Sequence, residues 1–242
     1  MIDTVLFDLD GSLLPMDQDV FTKAYFKELC RRVAPLGYEA EKLIASVWKG
    51  TAAMVRNDGS RTNEAAFWES FAEDFGEKGL ADKPVFDEFY ATDFNKAAAV
   101  CGRDPLAAET VARLKAAGRR VILASNPIFP RVAQESRMRW AGLDPADFDY
   151  ITSYENSSYC KPNPAYFREI AAKLRLDPAR CLMVGNDTGE DTPAAACGMR
   201  LFLLTPCMID RAGTGPDPWP HGEFAELLGM LKEEGTVDKD KR

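Results

Sequence analysis

Residues 4–15 read TVLFDLDGSLLP, and the fold turns on how Asp8 and Asp10 come to sit at the mouth of an apolar run. Thr4 to Leu9 is β-branched, aromatic or aliphatic apart from Asp8, which is the composition of a buried strand. Asp10-Gly11-Ser12 then breaks the run. Carboxylates are expensive to bury. Either Asp-Gly marks a turn that Asp8 merely caps, or the carboxyl end of the strand opens on a ligand, as strand ends do in open α/β sheets.

Working outward, the strand covers residues 2–9, and no strand pattern follows in 17–99. That stretch carries four helical patterns instead: VFTKAYFKELCRRV (20–33), EAEKLIASVWKG (39–50), NEAAFWESFAEDFG (63–76) and PVFDEFYATDFN (84–95). In the third, Ala66, Phe67, Phe71 and Phe75 recur at helical spacing. From Asp104 strand and helix alternate. A helix over 105–117 stops at Gly118, RRVILASN (119–126) is a strand, and a helix over 130–141 stops at Gly142. DYITS (149–153) is a short strand, and Asn163-Pro164 caps and opens a helix to Leu174. CLMVG (181–185) is a strand, 189–197 a helix and MRLFLLT (199–205) the last strand; a helix over 222–233 and a solvated tail, VDKDKR (237–242), close the chain. Such alternation requires right-handed crossovers and a parallel sheet with helices on both faces. The expected architecture is α/β: a doubly wound, Rossmann-like parallel core from 1–16 and 100–242, with an all-helical cap, 17–99, inserted after the first strand.

The 242 residues are 46% hydrophobic, ample for a core with an inserted domain. A net charge of −8 argues against a nucleic acid polymer as partner. Cys30, Cys101, Cys160, Cys181, Cys197 and Cys207 show no C-x-x-C or zinc spacing and read as free thiols. The chain enters its first strand without a basic, apolar leader, and no apolar run approaches membrane-spanning length, so the expectation is a cytoplasmic protein with no membrane partner.

In a parallel sheet all carboxyl ends share one edge. That edge presents Asp8 and Asp10 from the first strand, Ser125 and Asn126 from the second, Lys161 ahead of the Asn163 cap, and Asp187 and Asp191 after CLMVG. Like charges 4 Å apart repel by about 4 kcal/mol at an effective dielectric near 20. Four carboxylates with one lysine therefore call for a divalent cation, and all-oxygen ligands suit magnesium. A phosphate dianion bridged by that metal and Lys161 completes a phosphoryl-transfer site.

In order along the chain, Asp8-Leu-Asp10-Gly-Ser, Ser125-Asn126, Lys161-Pro162 and Gly185-Asn-Asp187-x-x-x-Asp191 resemble the four motifs of the haloacid dehalogenase-like hydrolases, over residues 2–205. The helical insert resembles that family's cap. The resemblance implies a magnesium-dependent phosphomonoester hydrolase acting on a small phosphorylated metabolite through an aspartyl-phosphate. Asp8 would be the nucleophile and Asp10 the acid and base, with like-charge crowding favouring its protonated form. Ser125, Asn126 and Lys161 would hold phosphoryl oxygens. Magnesium would lie among Asp8, Asp10 (through its carbonyl), Asp187 and Asp191, the last ligating a metal-bound water or orienting Lys161. Ser12 stands where Thr is usual, and Asn186 intervenes between Gly185 and Asp187. The dehalogenase branch lacks an acid two residues after the nucleophile, so Asp10 points to phosphate esters. A phosphomutase, a receiver-like phosphate acceptor and a phosphometabolite sensor with little turnover are the alternatives.

Trp48, Phe67, Trp68, Phe71 and Phe75 read as helix core rather than substrate wall. Lys49, Arg56 and Asn57 fall where a helix pair meets a loop over the site, as leaving-group contacts or as solvated surface. His221 is assigned nothing.

Overall fold

A computed structural model describes residues 1–237. Residues 238–242 of the expected solvated tail lie outside the described residues. β1 (Thr4–Phe7) is wholly buried and lies between two parallel neighbours, β2 (Arg120–Leu123) and β4 (Cys181–Gly185). β3 (Tyr150–Ile151) pairs outside β2, β5 (Arg200–Leu204) outside β4, and β6 (His221–Gly222) outside β5. The resulting order, β3-β2-β1-β4-β5-β6, is parallel throughout, and strand order reverses between β1 and β4.

Strand alternation divides the interior. Val5, Phe7, Val121, Leu123, Leu182 and Val184 face one core; Leu6, Ile122, Cys181, Met183 and Leu201 face the other, beneath α7 (Pro164–Leu174). Each fully buried large apolar side chain contributes about 1.5–3 kcal/mol. A central strand sealed on both faces can therefore carry an unfavourable polar site at its end.

The helical insert contains α1 (Gln18–Val33), α2 (Ala40–Val55), α3 (Asn63–Ala81) and α4 (Lys83–Ala91), followed by a 3₁₀ stretch, Asp93–Val100. Gly76 (φ +61°) kinks α3, and residues 84–95 end their α-helix at Ala91. The chain leaves and re-enters the core at one place: Met16 and Cys101 form an antiparallel bridge, and the Gly102 N–H donates to the Pro15 carbonyl at 2.7 Å. Across the top, fully buried Asn63 ties the insert to the core. Its Nδ2 donates to the carbonyls of Pro127 and Tyr159 at 3.2 and 3.3 Å, while its Oδ1 accepts from Asn57 Nδ2 at 2.9 Å.

The remaining helices are α5 (Pro105–Ala116), α6 (Arg131–Trp140) and α8 (Phe224–Val237). Two details depart from the sequence reading. The stretch 189–197 forms only a short 3₁₀ helix, Thr192–Cys197, because the Asp187 and Asp191 carboxylates hold residues 186–190 in a loop ahead of it and Gly198, at φ +87°, ends it. MRLFLLT is also not the last strand, since two-residue β6 pairs with β5 through Leu203 and His221. All six cysteines are free, and among the described residues no helix is long and apolar enough to cross a membrane.

Candidate active site

Register assembles the site. Phe7 lies between Leu123 and Val184, so the chain beyond each strand emerges at one edge. Asp8 N–H donates to the Val184 carbonyl at 2.8 Å, and Ala124 N–H to that of Phe7 at 2.7 Å. Gly11, at φ +83°, turns the chain back where a Cβ would lie 2.2 Å from Asn186 Nδ2. Ser12 Oγ donates to Asn186 Oδ1 at 2.9 Å, so Asn186 stitches the first motif to the fourth.

Lys161, 1% exposed, donates from Nζ to Asp8 Oδ1 at 2.8 Å and to Asp191 Oδ1 at 2.6 Å. Burial raises the Asp8 and Asp191 carboxyl pKa values, that of Asp191 to about 6, although Lys161 opposes the shift. Burial also works against the lysine charge, but Asp191 and Asp8 outweigh it and hold Lys161 well above the usual lysine range. Asp191 Oδ2 accepts the N–H groups of Asn186 and Asp187, both at 3.0 Å. Gly185 permits this, since a Cβ there would lie 2.0 Å from that oxygen. Both Asp191 oxygens are thus engaged, Oδ1 by Lys161 and Oδ2 by the loop at 186–187.

Ser125 and Asn126 follow β2. The Ser125 carbonyl accepts from Thr152 Oγ1 and Tyr166 Oη, both at 2.8 Å, which fixes the backbone of a residue that lines the cavity. Asn126 accepts from Lys161 N–H at 3.2 Å and donates to Glu190 Oε2 at 3.2 Å. Its side chain thus ties the second motif to the third and fourth. Asp187 Oδ1 accepts from Gly189 and Glu190 N–H at 2.7 and 3.0 Å, and its Oδ2 from Arg211 Nη1 at 2.9 Å.

The electrostatics differ from the sequence reading. Arg137, fully buried on α6, donates through Nη1 to Asp10 Oδ2 and lies 4.4 Å over the Phe129 ring. Asp10 therefore has an opposite charge against it as well as like charges around it. Glu190 adds a carboxylate; burial pushes its pKa up to about 7, with Lys161 opposing and Asp8 assisting. The rim thus holds Asp8, Asp10, Asp187, Glu190 and Asp191 against Lys161, Arg137 and Arg211. The imbalance is smaller than four carboxylates on one lysine, yet still negative.

That donor set fits magnesium. Among the described residues no three acidic, histidine or cysteine side chains form a ready-made metal cage. Magnesium, however, needs only one or two carboxylates and keeps several waters. Asp8 retains an oxygen not taken by Lys161, and Asp187 Oδ2 is held, among the described residues, by exposed Arg211 alone.

A cavity of about 350 Å³ joins this edge to the insert. Phe21, Tyr25 and Phe26 of α1, Trp48 of α2, Phe67 of α3 and core Phe129 line it. Trp48 and Phe67 are therefore cavity wall, contrary to the helix-core reading, whereas Phe71 is core at 0% exposure. Lys49 is turned away to Asp74 and Glu73 at 2.8 and 3.0 Å, Asn57 belongs to the Asn63 tie, and Arg56 does not line the cavity.

In the metal-free protein Glu190 makes a testable contribution. Its folded pKa lies above the ordinary 4.5, so its ionised form opposes folding above pH 7, and that penalty fades as pH falls from 7 toward 4.5. Glu190→Gln is expected to be about 1–3 kcal/mol more stable than wild type at pH 8, the advantage shrinking by pH 5. Urea denaturation at the two pH values checks this; an advantage that grows on acidification contradicts it.

Comparison with known proteins agrees with the fold. The family model of the haloacid dehalogenase-like hydrolases matches residues 2–198. No curated protein sequence matches the chain. Among solved structures, a 2-haloacid dehalogenase from Pseudomonas syringae superposes with TM-score 0.62 at 20% identity, covering 96% of this chain and 99% of its own. CbbY from Rhodobacter sphaeroides, in complex with phosphate, gives 0.57 at 20% identity and covers 94% and 96%. YfnB of Bacillus subtilis, described as a HAD-type hydrolase and bound to magnesium, gives 0.54 at 17% identity and covers 95% and 98%. At these identities the structures share the fold. The family match spans most of the chain, from the first strand to the loop before β5, and the protein belongs to the haloacid dehalogenase-like hydrolases.

Proposed function

We propose that the chain is a magnesium-dependent phosphomonoester hydrolase acting on a small phosphorylated metabolite. The observation that carries this reading is the pairing of Asp8 with buried Lys161 at 2.8 Å, beside a second carboxylate, Asp10, on the same cavity. Lys161 opposes the rise in pKa that burial imposes on Asp8 and so favours the ionised form that a carboxylate nucleophile requires. An Asp8 oxygen attacks phosphorus, the P–O ester bond breaks, and an aspartyl-phosphate forms. The leaving oxygen takes a proton from Asp10. Arg137 occupies Asp10 Oδ2, so the oxygen left to face the leaving group is Oδ1, which is buried without a partner among the described residues. Asp10 next removes a proton from water as the water attacks phosphorus, releasing phosphate and restoring Asp8. Ser125 Oγ, Lys161 Nζ and the backbone around Asn126 hold phosphoryl oxygens. Magnesium, held by Asp8, Asp187 and the Asp10 carbonyl, would neutralise phosphoryl charge.

Asp10 also favours this reading over halide displacement, because a departing halide needs no proton. An insert placed over the site favours small substrates over phosphoproteins. Hydrolysis of p-nitrophenyl phosphate is expected to stop on chelation with EDTA and to return with magnesium. Unchanged turnover in the chelated enzyme would overturn the metal assignment, and no phosphate release under any metal would overturn the activity.

A further inference from the structure

The leaving-group half of the cavity differs in kind from its phosphate half. From the insert come aromatic and aliphatic surfaces, among them Phe21, Phe26, Val47, Trp48 and Phe67; the polar groups there are the uncharged Gln18, Thr22, Tyr25, Thr51 and Tyr90. Tyr90 is engaged with Tyr25, hydroxyl to hydroxyl at 2.9 Å. Trp48 and Val55 stay 51% and 40% exposed at the mouth, so apolar surface continues to the entrance. Among the described residues lining the cavity, Arg211 is the one cation, and it is paired with Asp187 on the core side. Lys49, on the same helix as Trp48, is held away by Asp74 and Glu73.

A second acid group on a substrate would meet no counter-charge on this wall and would face the carboxylate-rich rim. A sugar would bury hydroxyls against aromatic rings with few partners, which is unfavourable. We infer that the substrate is a phosphate monoester of an uncharged, predominantly apolar or aromatic alcohol, carrying no acid group besides its phosphate. The cavity of about 350 Å³ has room for one ring and a short tether. This inference rests on the phosphatase reading and names the substrate class of the same site.

Phosphate release in the presence of magnesium is to be compared among primary-alcohol esters, which keep leaving-group chemistry nearly constant: 2-phenylethyl phosphate, glycerol 3-phosphate, glucose 6-phosphate and phosphoglycolate. The expected kcat/KM for the phenylethyl ester is about 100-fold above each of the others. Thr51→Lys, which supplies the missing cation on the α2 wall, is expected to move that ratio toward phosphoglycolate. Equal turnover of all four, or preference for a sugar or two-acid ester, overturns the substrate class and leaves the hydrolase standing. If no ester is hydrolysed, the hydrolase reading falls and calorimetry decides the pocket. There, 2-phenylethylphosphonate must bind at least tenfold more tightly than phosphonoacetate, and a smaller difference overturns the inference.

Discussion

Asp8→Asn is expected to abolish phosphate release by a factor on the order of 10⁴ or more, because an amide cannot attack phosphorus and the rest of the site acts through that attack. The fold should survive. The substitution removes a carboxylate that burial disfavours, and Lys161 keeps its 2.6 Å bond to Asp191. A stability change within about 2 kcal/mol is expected, since neutralising one buried charge while its partner retains another is far milder than leaving a charge alone. Thermal unfolding and phosphate release on the same preparation check both halves. Acid-quenched wild-type enzyme should carry an acyl-phosphate that the variant lacks. A folded variant with wild-type turnover would remove Asp8 from the chemistry.

Lys161→Met reverses the balance between stability and chemistry. The ammonium is the shared counter-charge of Asp8 and Asp191, and both are raised by burial even with it present. Removing it leaves two buried carboxylates facing one another, a change expected to cost about 3–5 kcal/mol. The deficit depends on pH with a definite sign. Asp191 already sits at about 6, and losing Lys161 pushes both carboxyls further up. The penalty is therefore full above the folded pKa values and fades as pH falls below them. Urea denaturation should show the largest loss at pH 8 and a smaller one at pH 5. Asp191→Asn in the Lys161→Met background should recover part of it. A loss independent of pH would mean that packing of the lysine stem, rather than its charge, holds the loops together.

Much of the site was legible because its residues sit at strand ends, where local composition changes abruptly. Asp8 interrupts an apolar strand, Ser125 and Asn126 end another, and Asp187 and Asp191 follow a third. A parallel sheet then brings those ends together without further information. Arg137 was not legible for the opposite reason. It lies in Arg131–Trp140 with Arg131 and Arg139, and composition alone reads all three as solvated. Arg131 and Arg139 do lie outside, paired with Glu135, while Arg137 turns inward through packing of α6 under Phe129. Trp48 and Phe67 recur at helical spacing that serves a core and a cavity wall equally well, and only the placement of α2 and α3 decides between them. β6 is two residues ending in a glycine, too short for any alternation to show.

The bridge between Met16 and Cys101 has a consequence for how such a protein can change. An excursion that departs and returns at a single point imposes no length on the sheet beneath it. The entropy of closing it grows only logarithmically with the residues it contains. The outer helices of the insert can accordingly be lengthened or trimmed without shifting a strand, provided Asn63 keeps its bonds to the Pro127 and Tyr159 carbonyls. Phosphate handling and leaving-group choice are then inherited as two parts joined at that crossing and at the Asn63 tie, and a graft that respects both is where a new selectivity would enter.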